Sequence, residues 1–546
     1  MTTAAELFVR CLENEGVDRI FGIPGEENLH IMEALRESSI RFVTVRHEQA
    51  ASFMADVHGR LTGQAGVCLA TLGPGATNLI TGFADANMDR APIVAIAGQG
   101  ATTRMHKESH QILDLVRLFE PVSKYAAEVL DPEIIPELVR KAFKDAQAEK
   151  PGGAFISVPE NIAAESVADA MTPLKVQGPQ MPDAPEEKIR QAAAVIDAAA
   201  FPLIMAGNGV VRAGAGPALV RFAEALNIPV AQTFMAKGSI PFSHPLSLGS
   251  VGLASNDYIA CGFDRADVVI CVGYDMVEYH PRLWHPNREK KIIHIDQNYA
   301  EVDAHYILEA GVLGDITDSL GRIADSASTV HTGNTANLKS VIREELDDYA
   351  NDQGFPIKPQ KIICDTLQVM GDEDILISDV GAHKMWIARL YRAQCPNTCI
   401  ISNGFASMGI GVPGAIAAKM AYPDRHVLTI TGDAGFMMNS QEMETALREN
   451  VPIVIMIWND AEYGLIRWHQ ERRFGHFNHV SFTNPDFVRY AESFGAKGYR
   501  VESTADLLPV LKQARADNTV VVVDVPVDYR ENMKLTEKLG NLVCPI

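Results

Sequence analysis

Short β-branched runs alternate with amphipathic stretches along almost the whole chain. They fall at 41–45, 67–72, 92–97, 202–207, 267–273, 291–296, 375–381, 426–433, 452–458 and 520–525. Strands spaced by helical segments predict βαβ units, and so α/β domains built on doubly wound parallel sheets with helices on both faces. Two stretches break the rhythm. Residues 165–187 are rich in Pro, polar and acidic residues, and residues 317–360 carry short polar and charged runs ending in FPIKPQ. Both read as linkers, helical in part. Three domains follow: 1–185, 186–345 and 346–546. The first and third share a pattern at one fixed offset. VCLATLGPGA (67–76) lies over VLTITGDAGF (427–436), and PIV (92–94) over PIV (452–454), each 360 positions apart. Any two βαβ units look alike, so this match leaves open whether the fold itself is repeated.

The length agrees with several domains, since 546 residues exceed the ~250–300 that one core serves. A 47% hydrophobic share with 21% charged residues is ordinary globular composition. Charge narrows the partners. With 48 Lys+Arg against 69 Asp+Glu the net charge is −21, which repels phosphate backbones and anionic lipid. Nucleic-acid and membrane partners are not expected. No uncharged apolar run reaches the ~18–20 residues that span a bilayer. The opening residues carry acids and an arginine where a signal peptide needs an apolar core. Eight cysteines scattered along the chain suggest no disulfide framework, and Cys395 and Cys399 are spaced CxxxC rather than CxxC. The expected location is the cytoplasm.

Candidate chemistry concentrates in TGDAGF (431–436) and IWNDAEYG (457–464). Each Asp follows a β-run, so Asp433 and Asp460 are predicted at the carboxyl ends of two strands, where open α/β sheets bind ligands. Gly432 and Gly435 let backbone approach closely, and a helix predicted from about Phe436 aims its amides at the same place. Two carboxylates and a loop carbonyl offer hard oxygen ligands for Mg²⁺, which completes its shell with phosphates and water. Either segment alone reads as an ordinary Asp-Gly turn. Together, after buried strands, they predict a metal-diphosphate site.

These segments resemble the signature of thiamine-diphosphate-dependent enzymes: a Gly-Asp turn, then a helix and a strand, then an Asn-Asn-type turn. Here it reads Gly432-Asp433-Ala434 and Asn459-Asp460, with Ala434 where a Gly is usual and Asp460 where an Asn is usual. The resemblance implies Mg²⁺ held by Asp433, Asp460 and the backbone carbonyl of Glu462 against the cofactor diphosphate. It implies that Glu48, in the turn from FVTVRHEQ (42–49) into the next helix, bonds N1′ of the aminopyrimidine and drives cofactor activation. FGIPG (21–25) with Pro24 and Gly25, and TLGPGATN (71–78) with Thr71 and Asn78, resemble the loops lining that ring. DVGAHK (379–384) resembles the stretch meeting the diphosphate through Gly381, Ala382 and His383. NGFASMGIG (403–411) matches the segment whose bulky side chain, Met408, holds the cofactor bent.

Within that superfamily the chain most resembles the acetolactate synthases. SHQILD (109–114) and FEPVSKY (119–125) are like that family's substrate side, with Gln111 in the place of its glutamine. The implied chemistry joins two pyruvates into 2-acetolactate with loss of CO₂, Gln111 orienting the second pyruvate and His469 and Met408 lining the pocket. GYDMVEYHPRLW (273–284) and VPVDYREN (525–532) look like the catabolic, flavin-free branch. The anabolic, FAD-containing enzymes carry an Arg-Phe-Asp-Asp-Arg type run near Tyr274–Tyr279 and a Trp where His469 stands. GNGVVRAGAG (207–216) follows a strand, but it is not GxGxxG. The alternatives are the anabolic catalytic subunit, a pyruvate oxidase, and a non-catalytic homologue. The resemblance further implies a homodimer or homotetramer with each site between subunits.

Overall fold

A computed structural model describes residues 2–178, 181–252, 260–332, 344, 346–533 and 535. The first unit contains β1 (Thr2–Thr3), β2 (Arg19–Gly22), β3 (Arg41–Thr44), β4 (Gly66–Ala70), β5 (Ile93–Gln99), β6 (Tyr125–Glu128), β7 (Gly153–Pro159) and β8 (Ser166–Val167). β2 to β7 form a six-stranded parallel sheet in the order β3-β2-β4-β5-β7-β6, while β1 and β8 pair antiparallel. The middle unit has β9 (Pro202–Ala206), β10 (Val230–Gln232), β11 (Ser247–Ser250), β12 (Val268–Val272), β13 (Lys291–Asp296) and β14 (Leu308–Leu313). Its order is β11-β10-β9-β12-β13-β14, the doubly wound order of dinucleotide-binding folds. The third unit has β15 (Ile375–Ser378), β16 (Cys399–Ile401), β17 (Val427–Gly432), β18 (Val454–Asn459), β19 (Lys497–Arg500) and β20 (Val521–Pro526), ordered β16-β15-β17-β18-β20-β19.

The first and third sheets therefore share one winding, in which the second, first, third, fourth, sixth and fifth strands lie side by side. The segments matched at the 360-residue offset are the third and fourth strands of each. The likeness in sequence thus reflects a repeat of the fold. Central strands such as β5 and β7 are buried along their whole length, because helices cover both faces of each sheet. All ten strand runs read from the sequence are strands. The predicted linker 317–360 is helical at both ends: helix Ile316–Ser326 buries Leu320 and Ile323, and helix Pro359–Val369 opens the third unit. Residues 333–343 and 345 of that linker, and 179–180 of the other, lie outside the described residues. Among the described residues no helix is long and apolar enough to cross a membrane.

The first and third units share one apolar core. Helix Glu48–Thr62 packs on helix Gly411–Ala421, where Gly414 leaves room for Val57: a Cβ there would lie 3.0 Å from the valine methyl. Buried charge crosses the same boundary. The Arg60 guanidinium meets Asp56 at 2.7 Å, Asp85 at 2.8 Å and Asp89 at 2.7 Å, all three carboxylates fully buried. Asp85 in turn accepts the Ser402 hydroxyl (2.8 Å) and the Ser407 N–H (3.2 Å), and Asp89 accepts the N–H groups of Asn403 (3.0 Å) and Gly404. Two helices of the first unit thus hold the 402–407 loop of the third.

Candidate active site

Asp433 and Asp460 emerge from neighbouring strands, β17 and β18, at their carboxyl ends. The helix after β17 spans Asp433–Asn439, so it begins at Asp433 itself and not near Phe436 as the sequence suggested. Asp433 is buried. It accepts N–H groups from Ala434 (2.8 Å) and Ala461 (2.7 Å) and the Asn484 side-chain amide (2.7 Å). Burial raises its pKa. Asp460 is pushed up to about 8, first by burial and then by the charges of Asp433 and Glu462. Among the described residues neither carboxylate has a salt-bridge partner. The Glu462 side chain is engaged elsewhere, accepting from Arg467 at 2.6 Å and Ser481 at 3.0 Å, so a backbone carbonyl is what it can offer a metal. A hard divalent cation fits this donor set and would relieve the repulsion that raises Asp460.

One cavity of about 180 Å³ gathers Gly381, Ala382, His383, Met408, Gly432, Asp433, Ala434, Gly435, Asp460 and Glu462. His383 is buried, burial pushes its pKa down to about 4, and its Nε2 has no hydrogen-bond partner. That neutral ring is an orphaned polar group facing a site meant for a polar ligand. Asp379, which the motif reading did not single out, fixes the loops around it. Its carboxylate accepts the N–H groups of Val380 (2.6 Å), Gly409 (3.0 Å) and Gly411 (3.0 Å), which ties the 381–383 turn to the loop bearing Met408. Gly409 has φ +95°, and a Cβ there would meet the Asn439 amide at 2.9 Å.

A second cluster forms at the carboxyl ends of β2 and β4. Glu48 is the first residue of its helix, and the Asn78 amide donates to it at 3.0 Å. Pro24 and Gly25 follow β2, and a Cβ on Gly25 would lie 2.4 Å from the Thr71 Cβ, so the two loops touch. Thr71 donates to the buried Glu27 at 2.8 Å. Gln111 is exposed with φ +59°, and its carbonyl lies 2.9 Å from where a Cβ on Gly73 would be. Behind Glu48, the buried Glu442 accepts the N–H groups of Arg46 and His47 at 3.1 Å; burial pushes its pKa up to about 7.

Within one chain none of Glu48, Gly25, Thr71, Asn78 or Gln111 lines the cavity that holds Asp433. His469 does not line it either. In helix Gly464–Phe474 the side chains of Leu465 and Ile466 face the cavity, Trp468 is buried in the core and His469 is exposed. Asn484, bridging Asp433 and Asn459, lies in a polar loop with no motif to mark it.

These two half-sites fit what sequence comparison finds. Family models for thiamine pyrophosphate enzymes match three times: the N-terminal TPP binding domain at residues 2–118, the central domain at 189–323 and the C-terminal TPP binding domain at 379–525. The chain belongs to the thiamine pyrophosphate enzyme family. Along nearly its whole length it is similar to acetolactate synthases. It is 36% identical to the acetolactate synthase of Bacillus subtilis (99% of this chain, 96% of that protein). It is 35% identical to the catabolic acetolactate synthase of Raoultella terrigena (98% and 97%), and 34% identical to the acetolactate synthase large subunit of Corynebacterium glutamicum (95% and 86%).

Proposed function

We propose that this protein is a flavin-free acetolactate synthase, converting two pyruvates and a proton into 2-acetolactate and CO₂. Thiamine diphosphate, when bound, supplies the C2 carbanion that adds to a keto carbon and the ring that takes up the electrons left by CO₂. The chain's own residues bind, orient and move protons. Asp433, Asp460 and the Glu462 carbonyl hold Mg²⁺ against the diphosphate, beside Gly381, Ala382, His383, Gly432, Ala434 and Gly435. Met408 wedges the cofactor. Glu48, oriented by Asn78, exchanges a proton at N1′, beside Pro24, Gly25 and Thr71. Gln111 orients the second pyruvate. His469, exposed in the single chain as Gln111 is, lines the substrate pocket. We further propose domain boundaries near residues 185 and 345. Each site is built across a homodimer or homotetramer, a reading supported by the separation of the two half-sites within one chain.

The observation that carries the flavin-free reading is the position of Glu278. In a sheet wound like the middle one, a dinucleotide sets its pyrophosphate on the backbone amides just after the first strand. That strand is β9, and the amide of Asn208 after it is already taken: the Glu278 carboxylate accepts it at 3.0 Å, with the Asp275 N–H at 3.2 Å and the Thr233 hydroxyl. Gly207 and Gly209 pack on the Gly273 turn, where a Cβ on either would lie 2.4–2.6 Å from that backbone. An internal carboxyl, its pKa pushed up to about 7 by burial, already takes the amide that a dinucleotide phosphate would use, and FAD would have to displace it from this loop. Apoprotein given thiamine diphosphate and Mg²⁺ alone is expected to be colourless and to regain full activity. Activity that returns only on adding FAD would refute the reading.

A further inference from the structure

The cavity between Asp433 and His383 has one more polar wall that the motif reading used only as a branch marker. Tyr529 begins the short helical turn Tyr529–Met533 after β20. Its segment is fixed from three sides: Val527 N–H donates to Asn459 (3.1 Å), Asp528 N–H to Ile357 (2.9 Å), and the Trp386 indole to Asn532 (2.8 Å). The ring lies 6.2 Å from Trp458 and reaches over Gly464, where a Cβ would stand 3.1 Å from Tyr529 Cδ2 and 2.7 Å from Asp460 Oδ2. Tyr529, Asp460, Glu462 and Gly464 form the wall common to this cavity and a larger one on its far side.

The Tyr529 hydroxyl is buried and its proton finds no acceptor; the backbone N–H of His383 faces it and can only donate. A second buried atom in the same cavity, His383 Nε2, is also unpartnered. Buried polar groups without partners are rare because each forfeits its hydration. Two in one cavity point to a polar ligand that completes both. The nearby carboxylates cannot be that ligand if they hold a cation, which leaves the anion the cation brings with it.

We propose that Tyr529 is a cofactor-anchoring residue whose hydroxyl donates a hydrogen bond to the diphosphate of thiamine diphosphate. This rests on the placement of the diphosphate in this cavity. A phenol titrates near pH 10, so its hydroxyl is a donor at neutral pH.

Tyr529→Phe keeps the ring and removes only the hydroxyl. Calorimetric titration of apoprotein at saturating Mg²⁺, with thiamine diphosphate and separately with inorganic pyrophosphate, reads the effect without turnover. A hydrogen bond to a charged group predicts Kd weakened about 10–100-fold for both ligands. Thermal unfolding of the apoprotein should shift little, because the hydroxyl donates to no acceptor there. An unchanged Kd in Tyr529→Phe, with binding lost in Asp433→Ala, would overturn the inference and leave the diphosphate placement standing. Unimpaired binding in Asp433→Ala would overturn the placement and the inference with it. A lowered apoprotein midpoint with unchanged Kd would make Tyr529 structural and overturn the inference too.

Discussion

Arg60→Met removes the one guanidinium that three fully buried carboxylates share. Asp56, Asp85 and Asp89 lie 2.7–2.8 Å from it, and none of the three is solvated. Breaking a buried ion pair from one side costs about 3–5 kcal/mol, because the remaining charge stays desolvated. The nearby Lys384 is a weak stand-in: burial pushes its pKa down to about 8, against the pull of Asp89 and Asp85, and its ammonium already donates to the Ser402 carbonyl at 2.9 Å. The pH dependence has a definite sign. Burial holds Asp56 and Asp85 above the usual carboxylate range even with Arg60 present, and its loss raises them further. The folded variant then binds protons that the unfolded chain, with carboxylate pKa values of about 4, has released. Its stability is fully present below about pH 4 and falls as pH rises through the folded values. The deficit relative to wild type should therefore be largest at pH 8 and shrink towards pH 5. Urea midpoints at pH 5, 6, 7 and 8, followed by tryptophan fluorescence, measure it. A deficit under about 1 kcal/mol at pH 8, or one that does not shrink at pH 5, would refute the reasoning.

Glu48→Gln should still bind thiamine diphosphate but lose turnover by at least about 100-fold, the usual worth of a positioned acid/base. H/D exchange at the cofactor C2, read by NMR, should slow in step, and exchange at the wild-type rate would remove Glu48 from the proton path. Asp433→Ala should fail to retain cofactor even at high Mg²⁺. Mixing these two inactive proteins under subunit exchange should restore part of the activity, since a hybrid dimer holds one site with both residues intact. No recovery after verified exchange would mean that each site is built within one chain.

Much of this was legible in the sequence because each feature is local. Asp433 and Asp460 stand at strand ends as their neighbours in sequence require, and ten residues read from motifs line one cavity. What escaped is non-local or conformational. Asp85, on a helix, and Asp89, which caps its end, look like an ordinary acidic face until Arg60 and the 402–407 loop arrive. Asp379 and Asn484 take their importance from loops brought together only by the fold. Strands β2 and β6 are four residues long, too short for a clear period. The Tyr274–Tyr279 run shows in sequence only that arginines are absent and a carboxylate is present; that this carboxylate, Glu278, sits on the Asn208 amide is visible only in the fold.

The most direct test of the central claim is a product balance. Purified protein, freed of bound small molecules and given only pyruvate, thiamine diphosphate and Mg²⁺, should release one CO₂ and one 2-acetolactate for every two pyruvates consumed, with no electron acceptor. Acetate formed with consumption of oxygen, acetaldehyde as the main product, or no reaction until FAD is added would each contradict a flavin-free acetolactate synthase.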